Sequence, residues 1–270
     1  MILNVHHSTK YSYLEPVHKS IQIIRLTPFN NHRQKVITWA LNIPGHANKN
    51  IDWFGNITHC VNIPSMSTEI EIIATGKVDV SHAMPNPELG TLPALYYLRE
   101  TPLTELNPDM KILALSVASN KDKGLMAGSL QEILLALSEL SALILKYVAY
   151  SSGVTNSKTS AIDAFKLGKG VCQDHAHIFL ACSRFLGVPS RYVSGYLHTD
   201  DTSHLASHAW AEAWINNAWH SFDISNQCSA DEKHIELAYG LDYLDASPIR
   251  GSRIGGGEER LFVLSLVTDQ

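Results

Sequence analysis

Cysteine is scarce in this 270-residue chain: only Cys60, Cys172, Cys182 and Cys228 occur, and no two are spaced as C-x-x-C. Four scattered thiols are too few for a disulfide framework, which a chain of this length does not need to build a core. Charged residues are also sparse, at 17%, with no basic excess: 21 Lys+Arg stand against 26 Asp+Glu, for a formal net charge of −5. That excludes non-specific nucleic-acid binding. Long apolar runs are missing. The most apolar window, 133–145, is broken by Ser138, Glu139 and Ser141 and is too short to span a bilayer. The first residues, Met1-Ile2-Leu3-Asn4-Val5-His6-His7, lack the basic start and apolar stretch of a secretion signal. A cytoplasmic protein with no membrane or nucleic-acid partner is the expectation.

What is abundant is hydrophobic residues, at 45%, and histidine, at 14. The first is a globular balance. The second would carry the net charge from −5 to +9 if every imidazole were protonated.

Up to about residue 80 the chain alternates with strand period. His7, Thr9, Tyr11 and Tyr13 share one parity. Further strand-like runs are Ser20–Leu26, Lys35–Ile43, Ile57–Ile63 and Glu69–Val80, separated by turn material such as Pro44-Gly45 and Phe54-Gly55-Asn56. This predicts an antiparallel β domain over 1–80. Five prolines between Ser81 and Pro108 mark 81–107 as a linker.

The signals then change. Asn107-Pro108 opens a short helix to about Ser119. Ser129-Leu130-Gln131-Glu132 is a capping box, and behind it Leu130, Ile133, Leu134, Leu137, Ile144, Leu145 and Val148 form one helical stripe. Ser160-Ala161-Ile162-Asp163 caps a third helix, ended by Gly168, and a fourth runs from Cys172 to Leu186. Strands follow over Arg191–Leu197, Ser207–Ile215 and Ala218–Ile224, the last two joined at Asn216-Asn217, and Arg260–Val267 closes the chain. Residues 108–270 therefore read as an α+β domain, helices first and an antiparallel sheet after.

Cys172 lies where the loop Gly168-Lys169-Gly170-Val171 enters a helix. The positive end of the helix dipole favours a thiolate there, whereas Cys182 lies inside the same helix without that advantage. Alternation puts His208, Trp210, Glu212 and Trp214 on one face of their strand, and Trp219, Ser221 and Asp223 on one face of the next. A hairpin closed at Asn216-Asn217 pairs Trp214 with Trp219 and makes Asp223 a diagonal neighbour of His208. The predicted site is thus a Cys172 nucleophile, a His208 proton shuttle and an orienting Asp223.

Four stretches now carry a resemblance. Gly170-Val171-Cys172-Gln173-Asp174-His175-Ala176-His177, Gly187 to Tyr196, Ser207-His208-Ala209-Trp210-Ala211-Glu212 and Trp219 to Asp223 resemble the bacterial transglutaminase-like core. His7-x-Thr9-x-Tyr11-x-Tyr13, Arg25-Leu26-Thr27-Pro28 and Phe54-Gly55-Asn56 resemble the β domain that often precedes it, and Tyr239 to Gly251 its closing loop. The resemblance implies a papain-like Cys-His-Asp site acting on amides, with a peptide or protein amide as substrate and no cofactor. Three positions depart from the family pattern: Asp223-Ile224-Ser225-Asn226 replaces Asp-Pro-Thr-Asn, Leu241 replaces arginine, and His175 replaces an aromatic residue.

Around the three central residues, Gln173 and Tyr150 are candidates for lining the oxyanion region beside the Cys172 N–H, and Asn226 and Trp210 are candidate substrate-site residues. Trp210, Trp214 and Trp219 share one parity and read as sheet core or as an aromatic wall of the site. Glu212 reads equally as a partner of the site or a solvated strand carboxylate. Zinc is the competing use of Cys172, His175, His177 and His208, but no four-ligand spacing supports it. With the Gly251–Glu259 segment read as a loop admitting water, hydrolysis is expected ahead of transfer to an amine. A non-catalytic binding module on the same fold is the alternative of a different class.

Overall fold

The computed structural model describes residues 1–63, 66–82, 85–87, 90–118, 125–199 and 206–269. In chain order the elements are β1 (Ile2–Ile24), β2 (Gln34–Asn42), β3 (His46–Ile51), β4 (Ile57–Ile63), β5 (Ser67–Val80), α1 (Pro108–Ser116), α2 (Leu130–Tyr147), β6 (Ala149–Tyr150), α3 (Ala161–Leu167), β7 (Lys169–Gly170), α4 (Cys172–Phe185), β8 (Ser190–Leu197), β9 (Ser207–Ile215), β10 (Ala218–Phe222), β11 (His234–Gly240), α5 (Tyr243–Ala246), β12 (Ile249–Gly255) and β13 (Glu259–Asp269). The fold is α+β, with helices inserted between two antiparallel sheets.

The seven-stranded sheet runs β2-β5-β1-β4-β3, with β12 and β13 also paired to β1. The two runs expected around Tyr13 and Ser20 are one 23-residue strand. Its first half pairs with β5 and β13, its second with β4 and β12. This corrects the expectation for the chain end: Arg260–Val267 does not close the second sheet but returns to the first. The Gly251–Glu259 segment is likewise strand up to Gly255, followed by a turn in which Gly255, Gly256 and Gly257 all have positive φ. An isolated alternating strand carries no mark of which distant edge it joins, so the sequence left this open.

The four-stranded sheet runs β10-β9-β8-β11. Asn216 and Asn217, at φ 50° and 62°, turn the β9–β10 hairpin, and Trp214 faces Trp219 in the expected register. Ala209, Ala211, Ala213 and Ile215 on β9 pack against the helical core around Phe179, Leu140 and Met110. Trp210 on the opposite face packs with Val193 and Tyr239 against Phe29 and Phe54 of the N-terminal region. The sheet is therefore covered on both sides, which explains why β11, buried at every residue, shows no alternation and was not expected as a strand.

The helices follow their caps. Asn107 accepts from the Met110 N–H at 2.8 Å, Ser129 and Glu132 form a reciprocal box, and Gly168, at φ 68°, ends α3. Helix α1 stops at Ser116, and the expected end at Ser119 lies outside the described residues. The segment expected as a linker is docked rather than free. Asn86 bridges the Trp219 backbone, and a 3₁₀ turn over Ala94–Leu98 buries Tyr97 against Trp219 and Leu241.

The two sheets are also stapled by side chains that imitate backbone. Asn56 donates to the Tyr239 carbonyl and accepts from the Tyr239 N–H, both at 2.7 Å. Gln34 does the same for Glu236, at 2.9 and 2.8 Å. Gly55, at φ 87°, makes the turn that aims Asn56 inward, and Asp52 holds the turn through the Phe54 and Asn56 N–H groups. No helix among the described residues is long and apolar enough to cross a membrane.

Candidate active site

Cys172 is the first residue of α4. Its N–H is one of the groups a helix start leaves without an intrahelical partner. The start is braced by Asp174, which reaches back to the Val171 N–H at 2.8 Å and accepts from Thr155 at 2.7 Å. A side chain at Gly170 would bring its Cβ to 2.7 Å from Asp174, so glycine is what permits this fold-back. The parallel pair of β6 and β7, with Tyr150 opposite Gly170, fixes the same loop from behind.

His208, at the start of β9, presents Nε2 to Asp223 Oδ2 at 2.7 Å. Cys172 and His208 line the same cleft, and the Cys172 sulfur is close enough to act on the imidazole electrostatically. Burial opposes the charge on this imidazole, but the negative Cys172 sulfur and the bond to Asp223 outweigh it, and the pKa is pushed up to about 10. Asp223 has no exposed side-chain surface. Burial alone would raise its pKa, yet the hydrogen bonds from His208, His234 and Asn226 hold the carboxyl well below the usual range. A thiol at a helix start and a buried carboxylate are thus brought to the two sides of one imidazole's cleft.

Asn226 donates to Asp223 Oδ2 at 2.7 Å from its side chain and to Oδ1 at 3.1 Å from its backbone, closing the carboxylate from above. Trp210 is buried with its ring 6.1 Å from that of His208, stacked behind it. Gln173 lines the cleft but turns its amide toward the Asn156 carbonyl, at 3.4 Å. Tyr150 does not line the cleft; it sits over His175 at 6.1 Å between ring centres. Its phenol pKa is raised by burial and then by the charges of Cys172 and Asp223.

Several readings left open by the sequence are decided. Trp214 and Trp219 do not wall the site: they pack with Tyr97 and Leu241 away from it. Glu212 is not solvated. It is buried in an ion pair with Arg191 at 2.6 Å, and the Arg191 guanidinium lies 4.2 Å from the Trp219 ring centre. The histidines of the zinc alternative are committed elsewhere. His175 contacts Ser225 Oγ at 2.9 Å and the Val148 carbonyl at 2.8 Å. His177 accepts from the Tyr243 N–H at 3.1 Å, and burial pushes its pKa down to about 4.

Two residues went unrecognised in the sequence. Tyr192, buried on β8, lines the cleft beside Cys172, and its phenol pKa is raised by burial and by the neighbouring sulfur. His234, at the head of β11, places Nε2 3.1 Å from the same Asp223 oxygen that His208 engages. Only its spacing in Asp231-x-x-His234 marked it, and that spacing has meaning once the turn is known.

The site opens into a cleft of about 760 Å³ with two kinds of wall. Cys172, Tyr192 and His208 form one, and Tyr11, Tyr13 and Gln22 of β1 form the other. With this geometry, comparison with known proteins is decisive. Residues 122–224 match the transglutaminase-like superfamily, and residues 3–79 match the bacterial transglutaminase-like N-terminal region. The uncharacterized protein ML0607 of Mycobacterium leprae is 30% identical over 98% of this chain and 98% of its own length. The chain belongs to the bacterial transglutaminase-like family. Rv2569c of Mycobacterium tuberculosis is also 30% identical, over 92% of this chain and 86% of its own. Among solved structures, a Cytophaga hutchinsonii protein described as a candidate cysteine protease shares the fold with a TM-score of 0.76. It is 21% identical, with 100% of this chain and 91% of that one covered.

Proposed function

We propose that this family member is a thiol-dependent hydrolase of peptide or protein amides, acting through Cys172, His208 and Asp223. The observation that carries the reading is an imidazole bonded at 2.7 Å to a fully buried carboxylate and opening onto the same cleft as Cys172 at its helix start. The thiolate attacks the amide carbonyl and forms a C–S bond. The C–N bond then breaks as His208 delivers its proton to the leaving amine. His208 next takes a proton from water, whose oxygen attacks the thioester and releases a carboxylic acid and the thiolate. The Cys172 N–H at the helix start and the Tyr192 hydroxyl, both on the cleft, are the candidate donors for the oxyanion. The protease description of the Cytophaga hutchinsonii neighbour agrees with hydrolysis.

Brief iodoacetamide treatment followed by mass spectrometry tests the nucleophile. Cys60 and Cys228 are more exposed than Cys172, so accessibility alone would favour them. Burial pushes the Cys182 thiol up to about 12, and burial with the nearby Asp223 and Asp231 charges pushes Cys228 up to about 11. Cys172 is expected to react first, and preferential labelling of another thiol overturns the reading. Partitioning tests the acceptor: with graded labelled amine and a glutamine-containing peptide library, product acids are expected to dominate at about millimolar amine. Amide exchange dominating at low amine would make the protein a transglutaminase instead.

A further inference from the structure

His234 has a geometry that the three central residues do not require. Its ring is buried, edge-on to Trp210 with centres 5.3 Å apart, and 6.1 Å from the His208 ring. Both its nitrogens face carboxylates: Nε2 meets Asp223 Oδ2 at 3.1 Å and Nδ1 meets Asp231 Oδ1 at 2.8 Å. The Asp231 N–H also approaches Nδ1, at 3.1 Å, and would suit a neutral ring. The shorter contact decides. An ionised carboxylate only accepts, so a ring nitrogen 2.8 Å from one carries a proton, and such charge-assisted bonds are the stronger kind.

We propose that His234 is a positioning residue that acts through Asp223: held protonated between Asp231 and Asp223, it keeps the Asp223 carboxylate ionised and aimed at His208. This rests on the nucleophile reading above. From Asp231 to His208 the charges then alternate, anion, cation, anion, cation, along one hydrogen-bonded path, and Cys172 opens onto the same cleft. Asp223 needs the second cation because it has no exposed side-chain surface, and a buried carboxylate with too few positive neighbours takes up a proton. The Asp231 carboxyl agrees, drawn down to about 2 chiefly by its bond to His234.

The other groups that bear on this pair are few. Arg33 donates to the carbonyls of His234, at 2.9 Å, and of Asp231, at 3.4 Å. Asn226 supplies neutral donors to Asp223. His175, Tyr150 and Cys228 feel the Asp223 charge from the α4, β6 and β10 sides. Lys233 bonds the Asp231 carboxylate through its backbone N–H, at 2.9 Å.

The sign of the effect follows. A carboxylate with a depressed pKa is ionised above that value and lost as pH falls through it. Removing the His234 charge lets the Asp223 pKa climb, so the thiolate–imidazolium pair fails at a higher pH. The experiment is the second-order rate of Cys172 alkylation by iodoacetamide, followed from about pH 2 to about pH 9 in the wild type, His234→Gln and His234→Leu. Glutamine keeps an N–H for Asp223 but no charge. It is expected to hold the plateau rate within about threefold while raising the acid limb by about half a unit or more. Leucine is expected to lower the plateau about tenfold and raise the limb as well. Thermal unfolding of each variant separates loss of fold from loss of rate, and the glutamine variant decides should leucine not fold. A looser fold alone lowers the rate without moving the limb. An acid limb unmoved in His234→Gln overturns the proposal while leaving Cys172 as nucleophile. If wild-type Cys172 labels no faster than Cys60, the nucleophile reading falls and this proposal with it.

Discussion

The two sheets differ in what they do with charge. In the four-stranded sheet, β8 and β11 are buried nearly throughout, yet this layer holds Arg191, Glu212 and Glu236 and borders Asp223 and His234. Every one of these is paired: Arg191 with Glu212 at 2.6 Å, Glu236 with Asn31 and the Tyr239 hydroxyl, and Asp223 with two imidazoles. In the seven-stranded sheet β3 is exposed at every residue and β12 at most, and the cross-strand pair of Lys10 with Glu69, at 3.0 Å, lies in water. Solvated pairs of that kind contribute little, whereas a buried charge that loses its partner costs several kcal/mol, about 3–5. The inner sheet therefore fixes reactive groups and the outer one offers surface. Substitutions in the two are expected to fail differently: inner ones in rate and pH profile, outer ones in substrate affinity, and the staples between them in stability.

The largest effect is expected at the inner sheet. Asp223→Asn should slow Cys172 alkylation and turnover tenfold or more, about one to two powers of ten, because the imidazolium loses its orienting anion. The pH profile carries the sharper signature. A proton held by a raised pKa is present below that value and lost as pH rises through it. The wild-type imidazolium should therefore persist until about pH 10, and the alkaline limb of alkylation by iodoacetate, whose own charge reports on it, should fall there. In Asp223→Asn that limb should move down toward the ordinary imidazole range. An unmoved limb with an unchanged rate would leave Asp223 a structural residue and erase the contrast between the sheets.

The outer sheet is sharpened by Tyr11, which lines the cleft from β1, on a different element from Cys172. Tyr11→Ala should raise KM about tenfold with kcat within about twofold, the pattern of binding lost equally from ground and transition states. Tyr11→Phe should restore most of it. A fall in kcat at constant KM would show that the N-terminal sheet reaches the reacting atoms.

How much of this was readable in the sequence depends on the range of the contacts. Local chemistry was readable: the Asn107 and Ser129 caps, the helix opening at Cys172, and the two left-handed asparagines that set the β9–β10 register and so bring Asp223 diagonal to His208. Contacts with distant partners were not. β1 reads as two strands because its middle turns polar, and its continuity is held by four partners from both ends of the chain. β11 hides because Glu236 points inward, which is affordable only with Asn31 and Arg33 arriving from some two hundred residues away. His234 hides for the same reason: its meaning comes from Asp223 across the Cys228 turn.

The smallest catalytic effect, and a purely structural one, is expected at the staple between the sheets. Asn56 is fully buried, and its side chain occupies both the N–H and the carbonyl of Tyr239 at 2.7 Å. Alanine there strands a backbone donor and a backbone acceptor where water does not reach. An unsatisfied buried polar group costs about 1–3 kcal/mol, so with two of them Asn56→Ala should cost about 2–6 kcal/mol in all. For a chain of this size that lowers Tm by roughly 5–20 °C. The residue touches neither Cys172 nor His208, so below the transition the alkylation rate should stay within about twofold. Differential scanning calorimetry beside alkylation kinetics measures both. A single cooperative transition moved to lower temperature fits two sheets that unfold as one body. Two separated transitions would show that the staple, more than the shared apolar face, joins the outer sheet to the catalytic layer. An unchanged Tm would show that the Asn56 bonds are replaced without cost, and that the sheets are held together by apolar packing alone.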